Sequence, residues 1–295
     1  MSAQDRVREK LYRKVPREQR ERLFQFRATH PSRHLTVAGV DWDYIACGRG
    51  GETLLLPAGG LAVGETAFQT ILALENEYRI IAPTYPGVKT MGELVAGILG
   101  LLEAEGVARV HILGGSYGGL VAQCVVHARP ERVEKLILSH TVAPNPERVK
   151  RMKKGLRVVR LLPFALLRPL LELRLSKLLS ALRSAGHAEQ EFWRAYIREI
   201  ITTHMSKEVL LCLSERVLDY DQNCRFTRAA LASWAGKVLL IESDDDPAIK
   251  AADREALRAL YPQARVHTFH QTGHAAAILK REEYISLIKE FLRDA

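Results

Sequence analysis

The chain has 295 residues, a formal net charge of +9 and 47% hydrophobic residues, which is enough to bury a large core and predicts one α/β core with an added subdomain. No uninterrupted apolar stretch reaches the length of a membrane-spanning helix, and the charged N-terminus has no apolar signal segment. We therefore expect a cytoplasmic protein without a transmembrane helix.

The four cysteines are far apart in the sequence. They form no C-x-x-C pair and no Cys/His cluster with the spacing of metal ligands. This pattern predicts free thiols in a reducing compartment and no metal site. A glycine-rich phosphate loop and a nicotinamide fingerprint are also missing, so we predict no cofactor.

The predicted elements alternate along the chain. A polar helix over residues 5–27 comes first, and a hairpin of strands 35–37 and 42–47 follows. Buried strands are then expected at 53–56, 79–82, 110–113, 133–139, 237–241 and 265–269, with helices near 66–76, 90–105, 117–128, 251–260 and 281–293. Repeated strand–helix–strand units predict a mostly parallel, doubly wound sheet with helices on both faces.

One long segment interrupts this alternation. Residues 141–230 show no convincing strand pattern and are helical by composition, which predicts an inserted helical cap, or lid. The expected organisation is a basic helical N-terminal extension (1–32), an α/β core in two pieces (33–140 and 231–295) and the cap (141–230).

A turn rich in glycine surrounds one serine. The run from Gly114 to Gly119 reads Gly-Gly-Ser-Tyr-Gly-Gly and places Ser116 between an apolar strand and a helix. In that context the pattern G-x-S-x-G indicates a nucleophile elbow, in which a tight turn holds the serine hydroxyl above the sheet edge. The turn also aims the backbone N–H of Tyr117 at the group that binds there. We predict Ser116 as the nucleophile.

The candidate base for this serine lies in the loop after the last predicted strand. Residues 270–274 read His-Gln-Thr-Gly-His. An imidazole can take the serine proton and return it to the leaving group. We predict His274 as the base, because it follows Gly273 and precedes a helix, and we keep His270 as the alternative.

The acid that orients this base is expected in the turn after strand 237–241. Three adjacent aspartates, Asp244, Asp245 and Asp246, lie there and precede Pro247. A carboxylate in this turn can hold the imidazole tautomer and stabilise the imidazolium. Alternatively, the aspartates only favour the start of the next helix as solvated acids. The residue pattern alone leaves the choice among the three open.

Short segments along the chain match a known family. They read LLLPA at 54–58, QTILAL at 69–74, YRIIA at 78–82, YP at 85–86, GSYGG at 115–119, PERV at 130–133 and LYPQAR at 260–265. With them the chain resembles α/β-hydrolase fold proteins over nearly its whole length after residue 35. Within that superfamily it is most similar to the maspardin-like branch.

The resemblance carries implications for the acid and for catalysis. The usual acid-bearing turn of the superfamily has its aspartate directly before a proline, which selects Asp246. An alignment to maspardin favours Asp245 instead, and Asp245 is kept as the fallback. Maspardin lacks a histidine at the position of His274 and resembles a non-catalytic binding protein. This chain has Gly273-His274, which favours an active enzyme.

The expected oxyanion hole departs from the pattern of these relatives. Many of them carry His-Gly after the strand before the first crossover helix, whereas this chain has Pro57-Ala58-Gly59-Gly60. The chemistry needs only backbone N–H groups aimed at the developing oxyanion. Gly59 or Gly60, together with Tyr117, can supply them. The alternative is that this segment is only a flexible turn.

The residue type at position 116 limits the reaction. A serine forms an acyl-enzyme, which predicts a carboxylic ester, a thioester or an amide as the substrate. Hydrolysis of a C–C bond and perhydrolysis on the same triad stay open. The competing hypothesis is a non-catalytic, maspardin-like binding or adaptor protein.

The positive charge is concentrated in the cap. Residues 147–187 contain eleven Lys or Arg residues, two Glu residues and many leucines. A basic, leucine-rich helical cap can contact an anionic membrane surface or acidic acyl substrates. We favour the alternative, a solvated cap face whose leucines cover the active site. Aromatic residues are scarce in this basic segment, so we do not expect nucleic acid as a partner.

Overall fold

One sheet of eight strands organises the molecule. The computed structural model describes residues 3–294. The strands are β1 (Arg33–Val37), β2 (Val40–Cys47), β3 (Thr53–Leu55), β4 (Arg79–Thr84), β5 (Val110–Gly115), β6 (Val133–Ser139), β7 (Lys237–Ser243) and β8 (Arg265–Phe269). Their order is β1-β2-β4-β3-β5-β6-β7-β8. β2 pairs antiparallel with β1 and β4, and every other pair is parallel, so the predicted mostly parallel sheet is confirmed.

The helices cover both faces of this sheet, as two separate buried clusters of apolar side chains show. They are α1 (Ala3–Tyr12), α2 (Arg17–Thr29), α3 (Phe68–Leu74), α4 (Met91–Ala104), α5 (Tyr117–Ala128), α6 (Val149–Leu161), α7 (Phe164–Leu178), α8 (His187–Thr203), α9 (Lys207–Asn223), α10 (Ala251–Leu260), α11 (Ala276–Leu279) and α12 (Arg281–Arg293). Parallel strands covered on both sides must be apolar in both directions, which explains the continuous apolar runs of β3, β5 and β6.

The N-terminal segment differs from the single helix predicted over residues 5–27. It forms two helices, α1 and α2, separated at Pro16. Proline has no N–H to donate and its ring clashes with the preceding helical turn, so the helix cannot continue through it. Both helices are tied to α8 of the cap, because the buried Glu199 carboxylate accepts hydrogen bonds from Arg8, Tyr12 and Arg27.

The segment 141–230 contains helices α6 to α9, and its described backbone contains no strand. Arg148, just before α6, makes two hydrogen bonds to the fully buried carboxylate of Asp221 on α9, at 2.6 and 3.0 Å. This pair fixes the start of the segment against its own last helix. The exact division into extension, core and cap stays a prediction.

None of the helices between residues 3 and 294 combines the length and the apolar character that a membrane crossing requires.

Candidate active site

Ser116 occupies a strained turn between β5 and α5. Its φ is +52° and its ψ is −119°, a conformation that a residue other than glycine adopts only when its surroundings impose it. The Ser116 N–H donates to the Ser139 carbonyl at 2.8 Å. The Ser116 carbonyl accepts from the Thr141 hydroxyl at 2.8 Å and from the Gly119 N–H at 3.0 Å. These bonds hold the elbow geometry that the sequence pattern indicates.

Two of the glycines around Ser116 are required by close packing. A Cβ on Gly118 would lie 2.3 Å from the Pro57 carbonyl oxygen, and a Cβ on Gly119 would lie 2.5 Å from the Thr141 side chain. Gly118 therefore allows the start of α5 to approach the 57–60 loop. This approach brings the predicted oxyanion donors of that loop toward the elbow.

Asp246 and His274 form a buried pair. Asp246 Oδ2 and His274 Nδ1 are 2.6 Å apart, and the two side chains are 1% and 7% exposed. The other carboxylate oxygen of Asp246 accepts the backbone N–H groups of Ala248 and Ile249. Burial alone would raise the pKa of Asp246, but the hydrogen bond and charge of His274 and the Ala248 N–H outweigh it and lower that pKa. Asp246 is therefore ionised at neutral pH.

The two neighbouring aspartates have different partners. Asp244 is paired with the fallback histidine His270 at 2.6 Å, and both side chains are exposed. Asp245 accepts the backbone N–H of Gly273 at 2.9 Å and so holds the loop before His274. The structure thus places Asp246, and neither Asp244 nor Asp245, on the imidazole of His274.

The second ring nitrogen of His274 has no partner. His274 Nε2 is buried and makes no hydrogen bond to any residue between 3 and 294, so Ser116 and His274 are not hydrogen-bonded here. Catalytic hydrogen bonds of this kind are often long without substrate and tighten when it binds. The structure brings Asp246 to His274 and leaves the Nε2 atom of that imidazole available.

A histidine that the sequence analysis did not single out lies next to this pair. His140 follows β6 with a φ of +48°, and its ring centre is 5.6 Å from that of His274. Its ring nitrogens contact the hydroxyls of Ser139 (2.9 Å) and Ser243 (2.8 Å). Burial lowers the pKa of His140 to about 4, so it is neutral at pH 7. The sequence did hold a signal for His140, because it directly follows a predicted parallel strand and side chains at the carboxyl ends of such strands often belong to the functional site.

The predicted oxyanion donors lie around the elbow. Tyr117 is the first residue of α5, so its N–H belongs to the amides that have no partner within a helix. Gly59 is half-buried and Gly60 is exposed. Two hydrogen bonds hold the turn that contains these glycines. The Gly59 carbonyl accepts the Ala62 N–H, and the Ala58 carbonyl accepts the Tyr85 hydroxyl.

A buried arginine from the cap lies beside Tyr117, and the sequence analysis missed it. The Arg216 guanidinium carbon is 5.3 Å from the Tyr85 ring centre and 5.8 Å from the Tyr117 ring centre. Arg216 is 1% exposed, yet its Nε and Nη1 atoms have no hydrogen-bond partner among the described residues. Buried donor atoms without hydrogen-bond partners are costly, and the contacts with the two tyrosine rings offset only part of that cost.

Two groups of side chains with metal-ligand chemistry lie away from this site. One comprises His30, Cys47 and Glu75, and the other comprises Glu52, His111 and Glu134. In the first group His30 and Glu75 already contact each other at 2.6 Å. In the second, His111 Nε2 is 3.5 Å from Glu52 and 3.7 Å from Glu134. Neither group includes a residue of the Ser116 site.

Fold and site together define a serine-elbow protein of the α/β type, and comparisons with known proteins agree. A family model described as "alpha/beta hydrolase fold" matches residues 53–280. The chain therefore belongs to the α/β-hydrolase family, and the prediction of a hydrolase with this fold is confirmed.

The chain is similar to several known proteins. It is 27% identical to a 2-hydroxy-6-oxononadienedioate/2-hydroxy-6-oxononatrienedioate hydrolase of Burkholderia vietnamiensis over 85% of this chain and 90% of that protein. It is 25% identical to a poly(3-hydroxyalkanoate) depolymerase of Ectopseudomonas oleovorans over 78% of this chain and 80% of that protein. The solved structure of a hydrolase from Pseudomonas aeruginosa matches this fold with a TM-score of 0.73 and 20% identity. The match covers 90% of this chain and 99% of that chain. These relatives are bacterial, and they do not show the maspardin-like branch.

Proposed function

We propose that this protein is a serine hydrolase that cleaves a carboxylic ester or thioester through an acyl-enzyme. Two observations carry the proposal: the buried 2.6 Å contact between Asp246 and His274, which leaves His274 Nε2 without a hydrogen-bond partner among the described residues, and the strained elbow at Ser116. An ionised aspartate on one imidazole nitrogen orients the other as a proton acceptor. Hydrolysis fits the family to which the chain belongs.

The proposed reaction has two halves. His274 takes the Ser116 proton as the hydroxyl attacks the substrate carbonyl, and the imidazolium then protonates the leaving group as the acyl-enzyme forms. His274 next takes a proton from water as the water attacks the acyl carbon, and the imidazolium then protonates Ser116 Oγ as the bond to the acyl group breaks and the acid leaves. Asp246 stabilises the imidazolium in both halves. Every step uses side chains and water, so the proposed reaction needs no cofactor.

Backbone N–H groups stabilise the oxyanion in this proposal. Tyr117 supplies one donor from the start of α5, and Gly59 or Gly60 supplies the second. Losing one such donor costs about 3–4 kcal/mol of transition-state stabilisation in related chemistry.

The substrate in this proposal carries an acidic group. Arg216 supports this, because its guanidinium lies beside Tyr117, the residue after the nucleophile, with two nitrogen atoms unpartnered. A guanidinium binds a carboxylate through paired hydrogen bonds. The Burkholderia vietnamiensis relative is named for a dioate, which has two carboxylates.

The experiment compares two nitrophenyl esters, neutral nitrophenyl butyrate and acidic nitrophenyl hemisuccinate. The wild type should hydrolyse both and prefer the hemisuccinate in kcat/KM, and Ser116→Ala should lose both activities. Arg216→Met should reduce the preference for the acidic ester by about tenfold or more, the loss expected for a charged hydrogen bond of 1.5–3 kcal/mol. Arg216→Lys, which keeps the charge, should retain part of the preference.

The outcomes separate the alternatives. Folded wild-type protein that cleaves neither ester and does not react at Ser116 favours the maspardin-like adaptor. Turnover of C–C substrates without ester turnover favours the C–C hydrolase. Equal preference in wild type and Arg216→Met refutes the acidic substrate but not the serine hydrolase.

The cytoplasmic location stays a prediction.

A further inference from the structure

One helix of the cap is apolar on two sides. On its inner side, α7 buries Leu167 and packs Phe164, Leu171 and Leu175 against the core. On its outer side, Leu166, Leu170 and Leu173 are 57%, 55% and 54% exposed. These three leucines are spaced i, i+4 and i+7, so they form one stripe along the helix.

Two further exposed apolar side chains lie on α6, the helix that precedes α7 in the chain. Val158 and Leu161 at the end of α6 are 48% and 81% exposed. Seven large apolar side chains are exposed among the described residues, and the two outside this region are Phe24 and Val266. Five of the seven exposed large apolar side chains thus belong to two consecutive cap helices, and such a concentration on a monomer surface indicates a contact site. We call these five side chains of α6 and α7 the cap face.

Positive charge surrounds the cap face. α6 contains six basic residues and no acidic residue. Five of them are exposed and form no ion pair with any side chain that the structure describes: Lys150, Arg151, Lys153, Lys154 and Arg157. On α7, Arg174 and Lys177 are exposed in the same way. The one acidic residue of α7, Glu172, is already paired with Arg168.

A cavity opens next to the cap face. It lies between α7 and α8, has a volume of about 460 Å³ and is lined by both apolar and basic side chains. Leu173 belongs to the stripe and to the wall of this cavity. Trp193, Ile197 and the guanidinium-bearing Arg194 and Arg198 line the same wall. Arg194 is paired with Glu191 and Arg198 with Glu172, which also lines the cavity, so the cavity mainly adds apolar surface beside the stripe.

We propose that the cap face docks on an anionic phospholipid membrane. The exposed leucines enter the boundary between headgroups and acyl chains, and the unpaired lysines and arginines contact the lipid phosphates. A second copy of the chain is disfavoured as the partner, because a two-fold contact would place the same positive surface against itself. This docking is independent of the proposed hydrolysis, since none of its residues belongs to the Ser116 site.

The test is co-sedimentation with vesicles in 0.1 M salt. Wild-type protein should bind vesicles of phosphatidylcholine with 30% phosphatidylglycerol, bind more weakly at higher salt and not bind pure phosphatidylcholine. Each basic residue near an anionic surface contributes about a fivefold gain in partitioning. The triple variant Lys153→Gln/Lys154→Gln/Arg157→Gln should therefore bind roughly 100-fold more weakly. Leu166→Ser/Leu170→Ser should lose binding by at least about tenfold, because burying each leucine contributes to insertion.

Two control variants keep the test specific. Lys89→Gln/Arg129→Gln/Arg225→Gln removes the same charge from exposed positions outside the cap face and should bind like the wild type. Val266→Ser removes an exposed apolar side chain elsewhere and should also bind normally. All substituted side chains are exposed, so thermal melting should show that each variant folds.

Several results would overturn the proposal. One is that folded wild-type protein binds neither vesicle, and another is that it binds both equally. A third is that the charge control weakens binding as much as the Lys153→Gln/Lys154→Gln/Arg157→Gln variant does. Light scattering could also show a dimer that Leu166→Ser/Leu170→Ser dissociates. That result, without vesicle binding, would assign the cap face to a second copy of the chain.

Discussion

Asp244, Asp245 and Asp246 share one turn, but each carboxylate has a different partner. They bind the His270 ring, the Gly273 N–H and the His274 ring, respectively. Only Asp246 is buried with its histidine, so only its charge acts in a low-dielectric surrounding. Asp246 could be predicted from its position before Pro247. The partners of Asp244 and Asp245 could not, because they lie 26 and 28 residues away in the sequence.

The three aspartates should separate in activity. Asp246→Asn should lower kcat by about 10⁴-fold, because an amide cannot hold the required imidazole tautomer. Asp244→Asn, at an exposed pair, should stay close to wild type and serves as the matched control. Steady-state hydrolysis of a nitrophenyl ester measures both. If Asp245→Asn loses more activity than Asp246→Asn, the assignment of the acid is wrong.

His140 should make the fold sensitive to acid. Its pKa is about 4 in the folded protein against 6.5 for a free histidine, so the unfolded chain binds more protons between these values. Stability therefore falls as the pH drops from 6.5 toward 4. At pH 5 this one group should cost roughly 2 kcal/mol relative to neutral pH.

Urea denaturation at several pH values checks this expectation. His140→Gln should have a flatter dependence in that pH window, whatever its stability at pH 7, because glutamine does not titrate. An unchanged slope in the variant would show that His140 is not the titrating group.

At the scale of elements, local patterns predicted the strands well. All eight predicted strands are present, with ends that differ by about two residues at most, because apolar runs between turn residues are a local signal. The prediction of a single N-terminal helix was wrong, because Pro16 divides the segment into two helices. The strand order was not predicted, since pairing between strands depends on contacts that are distant in sequence.

The close approach of α5 to the 57–60 loop gives an element-scale prediction. Gly118→Ala should lower both the Tm and kcat, because the added Cβ would meet the Pro57 carbonyl at 2.3 Å and shift the oxyanion loop. Gly155→Ala, in open space on α6, should instead stabilise the protein by up to about 1 kcal/mol through helix propensity. Thermal melting and ester hydrolysis of both variants measure these effects. Full activity in Gly118→Ala would contradict the close packing.

At the scale of the whole molecule, one buried carboxylate joins the N-terminal helices to the cap. Glu199 on α8 is 1% exposed and accepts hydrogen bonds from Arg8, Tyr12 and Arg27. Burial raises its pKa, but these partners outweigh burial and lower it. The sequence could not reveal this cluster, because Glu199 lies more than 170 residues from each of its three partners.

Breaking this cluster should destabilise the molecule as a whole. Glu199→Gln removes the buried charge that accepts from Arg8 and Arg27, while Arg27 keeps Glu65 as a partner, so we expect a loss of about 1–3 kcal/mol. Glu18→Gln, at an exposed position of α2, should have little effect. The urea midpoint of unfolding measures both variants. Equal midpoints for Glu199→Gln and wild type would show that the N-terminal helices do not depend on this contact.

The central claim is that Ser116 is an activated nucleophile served by His274 and Asp246. Reaction with a fluorophosphonate probe, followed by mass spectrometry of the intact protein and its peptides, tests it most directly. We expect one adduct, on Ser116, in the wild type, no adduct in Ser116→Ala and strongly slowed labelling in His274→Ala and Asp246→Asn. Unlabelled Ser116 in folded wild-type protein, or labelling that does not depend on His274, would contradict it.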